Sequence, residues 1–303
     1  MLRHIQYRAS RVSKISLRWP VVLGMVCASM VSAETPTSMQ LEKDIPYAQV
    51  GDLTLTLDLY RSASRQISPL IVWVHGGAWR AGNKSSMPLQ GLVAEGHAIA
   101  SVDYRLTTQA KFPANVHDIK AAIRFLRAKG PSLGIDAEQI VIAGASAGGH
   151  LAALVGVTND HAALEGTIGD QLETSASVQG VISFFGASNL TTILNQSTPH
   201  GLSVRIPALK LLLGGAPEEV PDTARLASPV FHTDKTDPPL LMIHGDQDPQ
   251  MPINQSLELA GKYQDTGCAA TLHVLHGGAH GGPDFYDRTR MTWVRQFLKT
   301  HLP

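Results

Sequence analysis

Cysteine is almost absent from this chain, whose 303 residues include only Cys27 and Cys268. A disulfide framework is thereby excluded, and stability has to come from a buried apolar core. Surplus charge is missing as well. Twenty-five basic residues balance 25 acidic ones, and no basic stripe marks a nucleic-acid surface. The balance gives no reason to expect an acidic substrate. The apolar run from Trp19 to Met30 is too short for a comfortable membrane span, so no stable membrane anchoring is expected. No internal repeat or low-complexity tract interrupts the chain. What is abundant is apolar side chain, 44% against 17% charged, enough for one large α/β domain or two small ones.

The first 33 residues differ from the rest. Arg3, Arg8, Arg11, Lys14 and Arg18 form a basic segment without an acid, the apolar run follows, and Val31-Ser32-Ala33 offers a small-x-small cleavage site. That order predicts a cleaved signal peptide over 1–33 and export to a periplasm or the medium. Cleavage would leave Cys268 alone, so the mature chain could form no internal disulfide.

Beyond residue 34 the chain follows a βαβ rhythm. Leu53 to Leu59 alternates with period two, as an edge strand with one wet face does. Leu70 to Val74 is continuously apolar, the pattern of a strand covered on both faces. Further strands are expected at 98–102, 139–143, 180–185, 240–243 and 271–275. Helices are expected over 116–129, 254–264 and 284–300, with Pro283 opening the last. The fold class is therefore α/β, a mostly parallel sheet with an antiparallel start and flanking helices. Ser188 to Asp237 lacks a clear strand and is rich in proline and glycine, which marks an insertion, read here as a small lid, with a solvated loop carrying two or three packing helices as the alternative.

Gly144-Ala145-Ser146-Ala147-Gly148-Gly149 stands between an expected strand and an expected helix. G-x-S-x-G in that setting is the form of a nucleophile elbow, in which a sharp turn exposes Ser146 and only small neighbours let strand and helix pass. A serine nucleophile needs an oriented base, and the elbow fold orders the partners as serine, acid, histidine. Acids follow the strand at 240–243, and histidines follow the strand at 271–275. Asp248 is preferred over Asp246 because it lies beyond the turn, before Pro249; Asp246 reads as a turn cap. His280 is preferred over His276 because glycines flank it and the last helix is near. A metal reading of His273, His276 and His280 is set aside, since no cysteine or acidic ligand pattern accompanies them. His75-Gly76-Gly77-Ala78-Trp79 leaves another strand and supplies the oxyanion donors Gly77 and Ala78, with Ala147 as the third. Gly76 is assigned to the turn, His75 to a structural hydrogen bond, and Trp79 to the wall of an acyl or alcohol pocket, with packing under the loop as the alternative.

Together these segments resemble the hormone-sensitive-lipase-like branch of α/β-hydrolase esterases, in particular the bifunctional deacetylase/feruloyl esterase group. The resemblance includes Gly82-Asn83-Lys84, Asp103-Tyr104-Arg105-Leu106, Phe112-Pro113-Ala114, His117-Asp118-Ile119-Lys120, His244-Gly245-Asp246-Gln247-Asp248 and Pro252-Ile253-Asn254-Gln255-Ser256, and runs from about Tyr47 to the end. It implies carboxylic-ester hydrolysis without metal or cofactor, with Ser146, Asp248 and His280 as the triad and a small-molecule ester as partner. Two departures stand out. Ala78 replaces a third glycine, and Asn189 stands where relatives often carry aspartate. An amidase of the kynurenine-formamidase kind, a prolyl-oligopeptidase-like peptidase and a non-catalytic binding protein on the same scaffold are the rival readings. The natural ester and the oligomeric state are not specified by the sequence.

Overall fold

The computed structural model describes residues 39–63 and 67–302. The expected signal peptide over 1–33 lies outside the described residues. In chain order the elements are β1 (Met39–Val50), β2 (Leu53–Ser62), β3 (Ser68–Val74), β4 (Ala98–Val102), α1 (Ala114–Leu133), β5 (Ile135–Ala145) and α2 (Ala147–Gly156). Then follow α3 (Ala162–Glu165), β6 (Gly180–Phe184), α4 (Ile193–Gln196), α5 (Pro199–Leu213), α6 (Pro221–Leu226), β7 (Leu240–Gly245), α7 (Asn254–Thr266), β8 (Ala270–Leu275) and α8 (Arg290–His301). Among the described residues, no helix is long and apolar enough to cross a membrane.

The strands form one eight-stranded sheet in the order β1-β2-β4-β3-β5-β6-β7-β8. β1, β2 and β4 pair antiparallel, and every pair from β4 across to β8 is parallel. The edge position expected for β2 is corrected: β1 covers it. β1 escapes a period-two reading because its first six residues are exposed on both faces. β3 shows why a continuous apolar run marks a central strand. Leu70, Val72 and Val74 enter one core cluster, Ile71 and Trp73 the other, and all five are essentially inaccessible. Each such side chain is worth roughly 1.5–3 kcal/mol of burial.

The helix expected over 284–300 is divided. Pro283 opens a single 3-10 turn to Tyr286, and α8 begins only at Arg290, whose N–H donates to Asp287 Oδ1 at 2.8 Å. A side chain that caps an amide in this way competes with helix continuation. Segment 188–237 carries α4, α5, α6 and a short 3-10 turn and no strand.

Site-bearing loops leave the carboxyl ends of β3, β5, β7 and β8, the edge where open parallel sheets bind ligands. Glycine makes the central crossing possible. An added Cβ at Gly148 would lie 2.0 Å from Val74 O, whereas at Gly261 on α7 it would meet nothing within 4 Å. We therefore expect opposite outcomes from one chemical change. Gly148→Ala should destabilise the fold by at least about 1–3 kcal/mol through overpacking. Gly261→Ala should stabilise it by up to about 1 kcal/mol through helix propensity. Thermal melting of the two variants beside the parent checks both signs.

Candidate active site

Ser146 joins β5 to α2 with φ 55° and ψ −117°. A non-glycine residue in this region costs on the order of 1–3 kcal/mol, so its surroundings must hold it there. They do so from both sides: Ser146 N–H donates to Phe184 O at 2.9 Å, and His150 N–H donates to Ser146 O at 3.0 Å. The turn brings the hydroxyl to His280 and leaves the Ala147 amide at the first position of α2, where main-chain N–H groups have no helical partner.

Three side chains from separate loops meet here. Asp248 Oδ2 lies 2.6 Å from His280 Nδ1, and His280 Nε2 lies 2.9 Å from Ser146 Oγ. A carboxylate can only accept, so Nδ1 carries the proton and Nε2 is free to accept from the serine hydroxyl. Burial by itself would raise the Asp248 carboxyl. Hydrogen bonding from His244 and His280 and the Met251 amide outweigh it and hold the group well below the usual carboxylate range. Its other oxygen accepts from the N–H groups of Gln250 and Met251, each at 2.8 Å. His244 backs the acid. Its Nε2–H donates to Met251 O at 2.9 Å and passes 3.5 Å from Asp248 Oδ2, while Ser256 Oγ donates to Nδ1 at 2.7 Å. Phe185 closes the other side of His280, edge to face at 4.9 Å between ring centres.

The alternatives to these residues pair with each other instead. His276 Nδ1 lies 2.8 Å from Asp246 Oδ2, and Gly277 N–H donates to Asp246 Oδ1 at 2.8 Å. This is a solvent-facing turn clasp. His273 stacks on Trp293, so the three histidines of the C-terminal segment do not converge.

The loop after β3 runs beside Ser146. A Cβ on Gly76 would lie 3.4 Å from Ser146 Cβ and 2.8 Å from Ala145 O. Close approach, rather than the turn, is thus what requires glycine at 76. Gly77, Ala78 and Trp79 follow at φ 119°, 52° and 60°. Successive positive φ values curl the main chain around Gly77 O, which accepts from the N–H groups of Arg80 and Ala81. The amides of Gly77 and Ala78 donate no hydrogen bond within the described residues. His75 is structural: its Nδ1–H donates to Gly76 O at 2.8 Å, and its ring stacks on Tyr104. Tyr104 OH in turn donates to His75 O at 3.0 Å, and Lys84 N–H to Asp103 Oδ1 at 2.7 Å, so motif residues brace this loop.

Trp79 requires a correction. It is fully buried and walls no open pocket. Its Nε1–H donates to His150 Nδ1 at 3.1 Å, and His150 Nε2–H donates to Ala227 O at 2.7 Å. The bond from Trp79 needs a neutral imidazole, since Nδ1 must accept, and burial pushes His150 down to about 4. An open cavity of ≈ 390 Å³ instead shares Gly76 and Ala145 with the loop and the elbow, and Trp73, Met87, Pro88 and Tyr286 wall it. A larger cavity of ≈ 520 Å³ lies within the insertion, lined by residues such as Leu194, Leu202 and Pro221, and includes no residue of the Ser146 cluster. Asn189, at the second departure from the family pattern, donates to Glu258 at 2.7 Å and takes part in packing the insertion onto α7. His244, Phe185 and His150 were not singled out by sequence reasoning. His244 lies in a motif already noted, and His150 directly follows the Gly144–Gly149 elbow motif.

Residues 57–263 match the family described as BD-FAE. Among curated proteins, the chain is 29% identical to Esterase LipC of Mycobacterium tuberculosis over 74% of this chain and 55% of that protein. It is likewise 29% identical to Esterase LipQ of the same organism over 86% of this chain and 61% of that protein. The chain thus spans little more than half the length of these relatives. Among solved structures it resembles a truncated carbohydrate esterase from gut microbiota, at 31% identity and TM-score 0.77, covering 89% of this chain and 98% of that one.

The buried His150 generates a stability prediction. Its folded value lies below that of a free imidazole, so the unfolded chain binds more protons as pH falls. The stabilisation is complete above about pH 6.5 and is lost as pH falls toward about 4, on the order of 3 kcal/mol in all. His150→Gln, which can keep the bond to Ala227 O and does not titrate, should flatten that part of the stability–pH curve. Urea unfolding at intervals across the range measures the difference.

Proposed function

The chain belongs to the BD-FAE family, and from that premise we propose that it is a serine carboxylic-ester hydrolase. The observation that carries this reading is the continuous relay from Asp248 through His280 to Ser146, at 2.6 and 2.9 Å. His280 Nε2 takes the Ser146 proton as Oγ attacks the ester carbonyl, and Asp248 stabilises the imidazolium that forms. The tetrahedral oxyanion is received by the amides of Gly77, Ala78 and Ala147. Each donor is worth on the order of 3 kcal/mol of barrier. His280 then protonates the departing alcohol. Water repeats the sequence on the acyl-enzyme and frees the acid.

The substrates proposed are short-chain, aryl or carbohydrate-linked esters. The cavity walled by Trp73, Met87, Pro88 and Tyr286 supports an apolar group next to the scissile bond. The carbohydrate-linked reading is supported by the name of the gut-microbiota relative. Export, to a periplasm or the medium, belongs to the same proposal and rests on the basic and apolar segments of residues 1–33.

Ser146→Ala should abolish turnover of p-nitrophenyl acetate and labelling by a fluorophosphonate while circular dichroism stays unchanged. Retained turnover would remove Ser146 from the mechanism. Asp248→Asn should lower kcat by a factor on the order of 10⁴, because the imidazole is then held in the wrong tautomer. In the parent enzyme kcat/KM should fall on the acid side through one ionisation, since only neutral imidazole accepts the serine proton. A flat acid limb would rule out His280 as the base.

A further inference from the structure

Arg205 sits on α5 of the insertion, 1% exposed, and the relay does not use it. Its Nε–H donates to Gln250 O at 3.2 Å, while Nη1 is buried with no hydrogen-bond partner. Among the described residues its guanidinium makes no ion pair within 4 Å. A buried charge so sparsely matched is costly, and an apolar side chain of similar reach would fill the space at lower cost. Burial pushes the guanidinium down to about 10, against the pull of Asp248, which leaves it cationic near neutrality.

Arg205 touches both halves of the site. Gln250, whose carbonyl it holds, is the residue whose N–H donates to Asp248 Oδ1 at 2.8 Å. About two turns earlier, at the N-cap of the same helix, Thr198 Oγ1 donates to Pro249 O at 2.7 Å. The acid-bearing loop is therefore gripped at two consecutive carbonyls by α5. On its other side the guanidinium carbon lies 5.9 Å from the ring centre of Trp79, the residue after Ala78. A cation over an indole is attractive, the more so when desolvated.

We propose that Arg205 is a positioning residue for acyl transfer, holding the Gln250 peptide that orients Asp248 and backing the oxyanion loop through Trp79. The insertion is then a brace joining the two halves of the site, not a flap over it. This rests on the esterase reading above.

The test is a double-mutant cycle on the full chain with p-nitrophenyl acetate. Arg205→Met should lower kcat about tenfold or more with KM little changed, a coupling of the size found within one hydrogen-bonded network. In the Asp248→Asn background the same change should cost less than about twofold, because the geometry it protects is already lost. Arg205→Lys keeps the cation and should recover part of the loss; it also stands in for Arg205→Met should that variant unfold. An equal loss in both backgrounds would overturn the proposal in favour of a general packing role. A rise in KM with kcat intact would overturn it in favour of substrate binding. No turnover in the parent would instead refute the esterase reading, and turnover that survives Ser146→Ala would refute the Ser146 relay, outcomes distinct from either.

Discussion

The site depends on one constrained backbone. Ser146 occupies a conformation that its own φ and ψ preferences oppose, and the sheet and α2 enforce it from both sides. Gly144 and Gly148 matter for this reason. A Cβ on Gly144 would lie 2.3 Å from Gly148 O, and one on Gly148 would strike the carbonyl of Val74. Strand, turn and helix approach until only hydrogens separate them. That closeness projects the hydroxyl beyond the sheet edge and sets the loop after β3 against the serine. Bulk at either glycine would separate Ser146 from the loop after β3, and in the proposed reaction the donors there act only within fractions of an ångström.

Around that point the electrostatics run in one direction. Asp248 is desolvated yet ionised, because two main-chain amides and two imidazoles surround it. An unbalanced carboxylate at this depth would protonate and lose its power to orient His280. His150 is the converse case: burial keeps it neutral, and its tautomer is set by the indole that only donates and the carbonyl that only accepts. In the proposed reaction His280 remains available to take a proton. His150 serves as a fixed strut between the oxyanion loop and the insertion.

Much of the fold was legible in the chain because its signals are local. The continuous apolar run at 70–74 reports burial on both sheet faces, and the small residues around Ser146 report close packing. β1 was not legible, since its exposed edge leaves no apolar alternation to read. Nor was the break before α8, which depends on the Asp287 cap. Trp79 was misplaced for a related reason: an aromatic beside an oxyanion loop reads equally as pocket wall or as support, and only its bond to His150, 71 residues away, separates the two.

By itself the sequence determined the α/β order of elements, the elbow, the glycine-rich donor loop and the preference for Asp248 and His280, because each is written in adjacent residues with fixed conformational consequences. Tertiary structure alone decided how those pieces are supported: His244 behind the acid, Phe185 against the base, Arg205 on the Gln250 carbonyl. His244 and Asp248 are only four residues apart, but the other contacts join residues distant in the chain, and all of them need the distances that hydrophobic burial sets. No local pattern encodes which distant carbonyl a buried guanidinium will find.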